Sequence, residues 1–323
     1  MMNSKTAEID VSIVIVCMNN YGQLKDCLDS IRTHTHNVSY EVLLVAYFFS
    51  EEKLECLNKD YPWVHIIISN EIRGFSENNN LALRQVQGKY CFILNDDTYF
   101  SEDVIGGLFK TMENNPNISA VSPQVINPDG SLQFSGFPPH TWINWIQILF
   151  HLKKDLDDKE KKYTNSVGLC KTYDLLGACI FIRTTIIEKM GYLDERYFYG
   201  PEDRDLTTKM NQNGYECWID NTIKLTHLGG STGGVKTRTL LATRPSNRKG
   251  WVIYHGGDNT VRQFILKACI WLNSFIWIAG WTIKVILGDK DAKLSLLANI
   301  NVCKTIFNKE TPKETFTRFY LKH

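Results

Sequence analysis

The sequence lacks paired cysteines and lacks an excess of charge of either sign. Its nine cysteines are dispersed, and no two of them form a C-x-x-C pair. Such an odd, scattered set is typical of reduced thiols in a hydrophobic core. It argues against a disulfide framework and against a zinc site built from cysteines. The 36 basic and 35 acidic residues leave a net charge of +1. Because nucleic-acid-binding proteins usually carry a basic excess or patch, we expect no nucleic-acid partner.

The N-terminus lacks the long apolar run of a signal peptide. Residues 1–10 are polar and carry both charge signs, and the apolar run at residues 11–17 is too short for a signal-peptide core in that setting. We therefore expect a cytoplasmic protein. Internal repeats and low-complexity tracts are also missing. With 323 residues, 43% of them apolar and 22% charged, the chain is long enough for one large α/β domain and an appendage.

Strand-like and helix-like segments alternate in the first third of the chain. Continuous apolar, β-branched runs predict strands at residues 11–17, 40–47, 64–69 and 90–94. Helical spacing of apolar residues predicts helices at residues 22–33, 51–57 and 77–86. The alternation predicts βαβ units, and hence an α/β fold with a Rossmann-like, mostly parallel sheet flanked by helices.

The middle of the chain is less regular. Its patterns predict helices at residues 101–114, 185–190 and 203–213, and strands at 118–125, 175–183, 215–219 and 223–226. The charged run at 153–162 indicates a solvated loop or helix face. Residues 233–247 are basic and polar, and we predict that they form a flexible loop over the ligand-binding site. We expect a first domain at residues 1–235 and a C-terminal helical extension at 236–323.

The most apolar part of the chain, residues 264–287, contains three tryptophans and two lysines. A membrane-spanning helix needs ~20 mostly apolar residues, whereas the uninterrupted window here, 268–283, is shorter and contains an Asn-Ser pair. Trp and Lys favour the depth of the membrane interface, so the pattern predicts an amphipathic helix lying on a membrane surface. Ordinary packing, a homodimer contact and a spanning helix remain as alternatives.

An apolar run ends in an acidic corner at Asn95-Asp96-Asp97. In open α/β sheets, ligands bind beyond the carboxyl ends of the strands. A carboxylate with a second oxygen donor at such a place suits a hard divalent cation. The alternative is an ordinary turn, because Asn and Asp favour turns in any protein.

Four local patterns follow one another in the chain. They are Cys17-Met18-Asn19-Asn20, the segment from Arg73-Gly74-Phe75 to Asn80, Leu94-Asn95-Asp96-Asp97-Thr98, and the segment from Gly191-Tyr192-Leu193 to Leu206, with Thr226-His227-Leu228-Gly229 downstream. Over about residues 11–235, this ordered set and Leu176-Gly177-Ala178-Cys179 resemble the family 2 glycosyltransferases. The nearest branch is the rhamnosyltransferase-like one, which builds bacterial cell-surface polysaccharides. The resemblance implies a glycosyltransferase-A fold, a nucleotide-sugar donor, Mg²⁺ or Mn²⁺, and inversion at the anomeric carbon.

The resemblance also implies roles for individual residues. Asp97 and His227 match the metal ligands, with Asn95 helping indirectly and Asp96 contacting the donor's ribose or sugar. Glu202-Asp203 matches the acidic pair that supplies the base; we assign the base to Asp203 and a supporting role to Glu202. The residues matched to donor binding are Asn19, Gly74, Asn79 and Asn80. Local hydrogen bonding of His227, helix capping by Glu202 and Asp203, and a helix N-terminus at 74–80 remain as alternatives.

One stretch departs from the family pattern. Where the family usually has Asp-Asn-x-Ser after the second strand, this chain has Ala46-Tyr47-Phe48-Phe49-Ser50. An acid that helps to hold the nucleotide base is replaced by aromatic residues. Aromatic rings can stack on a base, so the donor is either held differently or no longer bound. The second outcome describes a non-catalytic scaffold in a polysaccharide assembly complex; a nucleotidyltransferase would share the core but leave His227 and the acidic pair unexplained.

The expected partners are a nucleotide-sugar donor and a glycan or polyprenyl-diphosphate-linked acceptor at the inner face of the bacterial plasma membrane. Four basic residues are candidates for holding a diphosphate of the donor or of the lipid carrier: Lys236, Arg238, Arg244 and Arg248. A solvated basic loop is the alternative for these four.

Overall fold

The computed structural model describes residues 9–154, 167–229, 239–289 and 291–322. Eleven strands are found in these residues, nine of them in one central sheet and two in a small separate sheet. In chain order they are β1 (Val11–Met18), β2 (Tyr40–Tyr47), β3 (Val64–Ser69), β4 (Tyr90–Asn95), β5 (Thr98–Tyr99), β6 (Ile118–Ile126), β7 (Gly136–Phe137), β8 (Leu169–Thr172), β9 (Asp174–Leu175), β10 (Cys179–Arg183) and β11 (Glu216–His227).

Helices cover both faces of the sheet and form a C-terminal layer. They are α1 (Tyr21–His34), α2 (Glu51–Asp60), α3 (Phe75–Leu83), α4 (Val104–Asn114), α5 (Trp142–Leu149), α6 (Thr184–Lys189), α7 (Glu202–Gln212), α8 (Leu240–Gly256), α9 (Thr260–Ile286), α10 (Ala292–Thr305) and α11 (Pro312–Tyr320). Two clusters of buried apolar residues lie on the two faces of the sheet.

The N-terminal half of the sheet is parallel, as the sequence predicts. β3, β2, β1 and β4 lie side by side in that order, and each neighbouring pair is parallel. The apolar runs are buried on both faces: Val14 and Ile15 of β1, for example, are both inaccessible to solvent. The carboxyl ends of these four strands therefore meet at one edge of the sheet, next to the Asn95–Asp97 corner.

The C-terminal half of the sheet is mixed. β10 is antiparallel to β4 and β6, β11 is parallel to β6, and the two-residue strand β5 is antiparallel to β11. The expectation of a mostly parallel sheet therefore holds for the first half, while the second half combines the parallel pair β6–β11 with antiparallel neighbours. The short β5 has a direct consequence for the site, because it places His227 opposite Thr98, one residue after Asp97.

The predicted loop at residues 233–247 is wrong for its second part. Residues 230–238 lie outside the described chain, but α8 begins at Leu240 and continues to Gly256. Leu241, Ala242 and Pro245 are buried, and α8 packs against α9, α10 and α11. An apolar face shared with three helices is what makes this basic segment helical. Most of the charged run, 155–162, also lies outside the described residues.

The C-terminal helices fold back onto the rest of the protein. The ring of Phe316 in α11 stacks on Phe198, with 4.1 Å between ring centroids, and Lys313 forms a 2.6 Å ion pair with Glu77 at the start of α3. The extension predicted after residue 235 therefore packs on the sheet domain through its last helix.

Helix α9 carries the most exposed apolar surface. Among the described residues it alone is long and apolar enough to cross a membrane, and 22% of its most apolar window is buried. Leu266 and Ile270 pack inward, whereas Phe264, Phe275 and Ile276 are exposed. The predicted helix at 264–287 is confirmed, and the described residues leave its outer face uncovered.

Candidate functional site

The acidic corner lies where β4 ends and is held by backbone hydrogen bonds. Asn95 N–H donates to Ala178 O at 2.9 Å, and Thr98 Oγ1 donates to Asn95 O at 2.8 Å. On the other side, Leu228 N–H donates to Asp97 O at 2.8 Å. Asn95 thus fixes the turn through its backbone, and Asp97 is attached directly to the end of β11.

Asp97 and His227 face each other. His227 Nε2 lies 3.1 Å from Asp97 Oδ1, and both side chains are largely buried. The other ring nitrogen, Nδ1, lies 2.9 Å from Gln133 Oε1, while Gln133 Nε2 donates to His227 O and to Asn127 Oδ1. Because the Gln133 amide nitrogen is engaged as a donor, its oxygen accepts, and Nδ1 of His227 carries the proton.

This arrangement fits a divalent metal ion. With its proton on Nδ1, the imidazole directs the Nε2 lone pair at the Asp97 carboxylate. These two electron-rich groups repel each other, and a cation bound between them would remove the repulsion. Neighbouring ligands of an octahedral ion with bond lengths of about 2.1 Å are about 3.0 Å apart, close to the separation seen here. Metal-binding histidines usually donate their other ring N–H to a hydrogen-bond acceptor, and Gln133 Oε1 is that acceptor for Nδ1 of His227. Within the described residues, no group of three or more His, Cys, Asp or Glu surrounds the position, so water or substrate oxygens would complete the coordination.

Asp96 lies on the side of β1. Its carboxylate contacts the Cys17 thiol, and burial, reinforced by the charge of Asp97, raises the pKa of Asp96 to about 6. All nine cysteines lie in the described residues and are unpaired, as predicted, with Cys17 among the buried ones. Asp96 therefore points toward the β1 edge, away from the His227 contact.

A cavity of about 660 Å³ opens at the carboxyl ends of β1 to β3. It is lined by Met18, Asn19, Phe48, Asn70, Ile72, Tyr320 and Leu321. Asn19 holds the loop at this edge, since its backbone oxygen accepts from Lys53 Nζ at 2.6 Å. Sequence reasoning had no signal for Tyr320 and Leu321, which arrive from α11 at the far end of the chain.

The aromatic residues that replace the expected acid have separate roles. Phe49 is buried in the core, and the Tyr47 hydroxyl accepts a hydrogen bond from Arg73 N–H at 3.2 Å. Phe48 lines the cavity next to Tyr47, with 4.6 Å between ring centroids. One of the three aromatic residues is therefore placed to stack on a ligand in the cavity.

Gly74, Asn79 and Asn80 are structural in this chain. A Cβ at position 74 would lie 2.5 Å from Phe198 O, so the close approach is to protein backbone. Asn80 is fully buried, and its amide donates to Leu193 O at 2.8 Å; the Asn79 amide donates to Phe75 O at 2.9 Å. All three therefore make contacts within the protein, and their assignment to donor binding stays a prediction.

Asp203 lies at the start of α7 and is held by the turn that precedes β10. Gly177 N–H donates to Asp203 Oδ2 at 3.0 Å, and a Cβ at position 177 would lie 2.9 Å from that oxygen. The next residue, Ala178, accepts the hydrogen bond from Asn95 N–H. Since consecutive Cα atoms are about 3.8 Å apart, Gly177 and Ala178 place the acidic pair Glu202-Asp203 beside the Asn95–Asp97 corner.

Glu202 is buried, with 7% of its surface exposed, and its Oε2 has no hydrogen-bond partner among the described residues. Burial, together with the charge of Asp203, raises the pKa of Glu202 well above that of a free carboxyl group. Asp205 is turned away, toward the Tyr197 hydroxyl at 3.1 Å and Lys209 Nζ at 2.6 Å. The three acids of α7 therefore have three different environments.

A buried carboxylate and an arginine support the pair. Arg204 Nε lies 3.9 Å from Asp174 Oδ2, and the Arg204 guanidinium lies over the rings of Phe137 and Trp251. Asp174 is 1% exposed, and burial raises the pKa of its carboxyl to about 7. Sequence reasoning missed Asp174 because it stands in an irregular segment, far from any motif.

Replacing Glu202 by Gln should change how stability depends on pH. An acid whose pKa is higher in the folded than in the unfolded state takes up a proton on folding. Its contribution to stability is lost as pH rises from the unfolded value of 4.5 toward the raised folded value. Gln has no such proton, so the stability of wild type relative to E202Q should fall across that window and then level off. Thermal unfolding of both proteins from about pH 5 to about pH 9 measures this, and a constant difference would contradict it.

Comparisons with known proteins agree with the geometry. A family model described as "Glycosyl transferase family 2" matches residues 12–191. The low-salt glycan biosynthesis hexosyltransferase Agl10 of Haloferax volcanii is 26% identical over 222 residues, covering 66% of each chain. The O-antigen biosynthesis protein RfbC of Myxococcus xanthus is 20% identical over 67% of this chain and 17% of its own length. The matched region thus spans less than two thirds of either relative.

Two solved structures share the fold. GalNAc-T7 with UDP, GalNAc and Mn²⁺ superposes with a TM-score of 0.55 and 18% identity, covering 72% of this chain and 47% of its own. The mannosyltransferase PcManGT from Pyrobaculum calidifontis, in complex with GDP-Man and Mn²⁺, gives a TM-score of 0.53 and 13% identity, covering 94% and 89%. At these identities the likeness shows the glycosyltransferase-A fold, which the motifs predict.

Proposed function

Because the chain belongs to the family 2 glycosyltransferases, we propose that it transfers a sugar from a nucleotide-sugar donor to a glycan or lipid-linked acceptor, with a divalent metal ion and with inversion. The observation that carries the proposal is that Gly177 and Ala178 bring two pairs of residues side by side: Asp97 with His227, and Glu202 with Asp203. A transferase of this kind needs a metal ion to stabilise the leaving diphosphate, and it needs a carboxylate to activate the acceptor hydroxyl.

The donor is proposed to lie along the carboxyl edge of β1 to β4. Its base would occupy the cavity between Phe48 and Tyr320, and Asp96 would contact its ribose or sugar. Mg²⁺ or Mn²⁺ held by Asp97 and His227 would act as a Lewis acid on the diphosphate. The GalNAc-T7 and mannosyltransferase structures share this fold and contain Mn²⁺ with a nucleotide or nucleotide sugar, which supports a divalent metal and a nucleotide-sugar donor for this chain.

Asp203 is proposed to accept the proton of the acceptor hydroxyl. Inversion in a single displacement needs a base on the face opposite the leaving group. Gly177 holds one oxygen of Asp203 and fixes the direction of the carboxylate. Glu202, buried and with a raised pKa, is suited to holding a proton next to Asp203 and so to supporting it without competing as a base.

The acceptor side is proposed to lie at a membrane surface. The outer face of α9 exposes Phe264, Phe275 and Ile276, and Trp271 and Trp277 are partly exposed beside them. Tryptophan at the rim of an apolar helix is typical of the membrane interface. The proposed location is peripheral, at the inner face of a bacterial plasma membrane, in polysaccharide synthesis; a homodimer through the same face is the alternative.

A catalytically inactive scaffold is the second candidate function. The loss of the usual acid at Ala46 favours it, because that acid helps to hold the base in the family. The aromatic cavity formed by Phe48 and Tyr320 opposes it, because aromatic stacking holds a base without a carboxylate.

A nucleotide screen distinguishes the two. One of UDP, dTDP, GDP and CDP should raise the melting temperature when Mn²⁺ is present and lose its effect in EDTA. Tyr320→Ala should weaken binding of that nucleotide about tenfold, since stacking of a base on an aromatic ring contributes about 1–3 kcal/mol. Phe307→Ala removes an exposed aromatic residue outside the cavity and should leave binding unchanged. No response to any nucleotide in folded protein would favour the scaffold.

A further inference from the structure

A second cavity, of about 340 Å³, lies between helices α5, α8, α9 and α10. It shares no lining residue with the cavity at Phe48 and Tyr320. Its wall combines cationic, aromatic and amide side chains, among them Arg244, Arg248, Trp145, Trp277, Trp281 and Asn273. Two arginines and three tryptophans around one space are not explained by the catalytic roles described above.

The two arginines have no carboxylate partner in the described residues. Arg244 Nη1 makes one long hydrogen bond, 3.4 Å, to Ser295 O, and Arg248 makes no hydrogen bond or ion pair within the described ranges. Burial lowers the pKa of Arg244, and burial together with the charge of Arg244 lowers the pKa of Arg248 to about 10, so both remain cationic at neutral pH. Each guanidinium offers five donors, and two partly buried like charges with no carboxylate partner among the described residues would be stabilised by a bound anion.

The cavity lies on the side of Asp203. Trp145, in its wall, stacks on Trp251 with 5.6 Å between ring centroids, and the Arg204 guanidinium lies 5.7 Å from the Trp251 ring. Helix α8, which carries both arginines, also touches the loop before Glu202, because Asn247 Nδ2 donates to Tyr199 O at 3.0 Å. A ligand in this cavity is therefore next to the proposed acceptor side.

The opposite wall is the exposed apolar helix. Trp277 lines the cavity, is 39% exposed and stacks on Trp281, while the neighbouring Ile276 and Phe275 face outward from the protein. One end of the cavity is thus cationic and the other continues into an apolar surface. A ligand that matches both ends has an anionic head and a hydrocarbon chain.

We propose that Arg244 and Arg248 bind the phosphate or diphosphate group of an acceptor lipid, whose hydrocarbon chain lies along the outer face of α9. The inference rests on the proposed transferase function and names the part of the acceptor that this enzyme holds. The planar guanidinium fork suits bidentate contact with phosphate oxygens. The sugar to be extended would then reach from the cavity toward Asp203.

Direct binding tests the site without any turnover. Inorganic pyrophosphate should bind to the wild-type protein in calorimetry. The titration is done in EDTA, so that no metal ion at Asp97 and His227 contributes to the binding. Arg248→Gln and Arg244→Gln should each weaken that binding about tenfold or more, the usual effect of losing a hydrogen bond to a charged group. Arg248→Lys should fall between wild type and Arg248→Gln. Lys304→Gln, which removes an exposed charge on α10, should bind like wild type.

Vesicles separate a lipid from a free phosphate. Phosphatidylcholine vesicles carrying a polyprenyl diphosphate should bind the full-length protein more tightly than vesicles carrying phosphatidylglycerol, and the double variant R244Q/R248Q should abolish the difference. Equal binding to both vesicle types, or an unchanged double variant, would overturn the proposal. Binding of pyrophosphate alone, with no preference for the polyprenyl lipid, would overturn its lipid part.

The variants can be checked for folding through the other cavity. Mn²⁺-dependent nucleotide binding should be retained in R244Q/R248Q, because no residue of the nucleotide cavity is changed. If wild type bound no nucleotide but bound polyprenyl diphosphate through both arginines, the transferase proposal would fail and the lipid site would stand.

Discussion

Asp203→Asn should lower turnover by about 10²–10⁴-fold, the usual contribution of a positioned general base. Donor affinity should stay near that of wild type, because the nucleotide cavity and the Asp97–His227 pair are untouched. Asparagine has the same shape as aspartate, and its carbonyl oxygen can still accept the hydrogen bond from Gly177 N–H. The loss is therefore expected in kcat and not in the dissociation constant of the nucleotide. The measurement is turnover of the nucleotide-sugar whose nucleotide binds in the thermal screen.

Asp205→Asn is the matched control for this result. It makes the same change two residues further along α7, where the carboxylate faces Tyr197 and Lys209 instead of Gly177. Its cost should appear in stability and not in turnover per folded molecule. Near-wild-type turnover of Asp203→Asn, with strong loss in Glu202→Gln, would move the base to Glu202.

The parallel half of the fold could be predicted because its signal is local. β1 to β4 are continuous apolar runs separated by helices, and such runs are recognisable without knowing what they pack against. The other half depends on distant pairings. Strand β5 has only two residues, and its position is decided by His227 and Thr226, more than a hundred residues later. No local pattern specifies a pairing of that kind.

The prediction of a loop at residues 240–247 rested on their basic and polar composition, but these residues begin helix α8, which also accommodates two residues that usually break helices. Pro245 lacks the N–H that would bond to Leu241 O, and Asn301 Nδ2 in α10 donates to that oxygen instead, at 3.1 Å. Gly250 is required because a Cβ there would lie 2.5 Å from Gly200 O. Both features are tolerated only through partners from other segments, which the sequence does not reveal.

Candidate site residues could be predicted where they belong to a sequence motif. Residues that only position a motif residue could not be predicted. Asp97 and His227 were identified by resemblance, and the structure brings them together. Gln133, which sets the tautomer of His227, reaches it only because β6 lies beside β11. The motif residue Asn80 has a contact that its sequence pattern does not reveal: it is fully buried, and its amide donates a hydrogen bond to Leu193 O.

Asp97→Ala should abolish the dependence of nucleotide binding on metal. The described site offers two protein ligands, so losing one removes half of the protein's share of the coordination sphere. Even loss of an outer partner of a metal ligand costs about 10–100-fold in affinity, so the affinity for Mn²⁺ should fall by more than about 100-fold. The measurements are Mn²⁺ titration followed by electron paramagnetic resonance and the nucleotide thermal shift with Mn²⁺ and with EDTA.

Substitutions of Asp96 and Gln133 serve as comparisons for Asp97→Ala. Asp96 contacts Cys17 on the β1 side and lies away from the His227 contact, so Asp96→Asn should weaken donor binding while Mn²⁺ binding persists. Gln133→Ala should fall between the two, because His227 keeps its position on β11 but loses the bond that presents Nε2. If Asp97→Ala bound Mn²⁺ and nucleotide as wild type does, the 3.1 Å pair would be an ordinary ion pair closing the end of β11, and the metal would have to be held elsewhere.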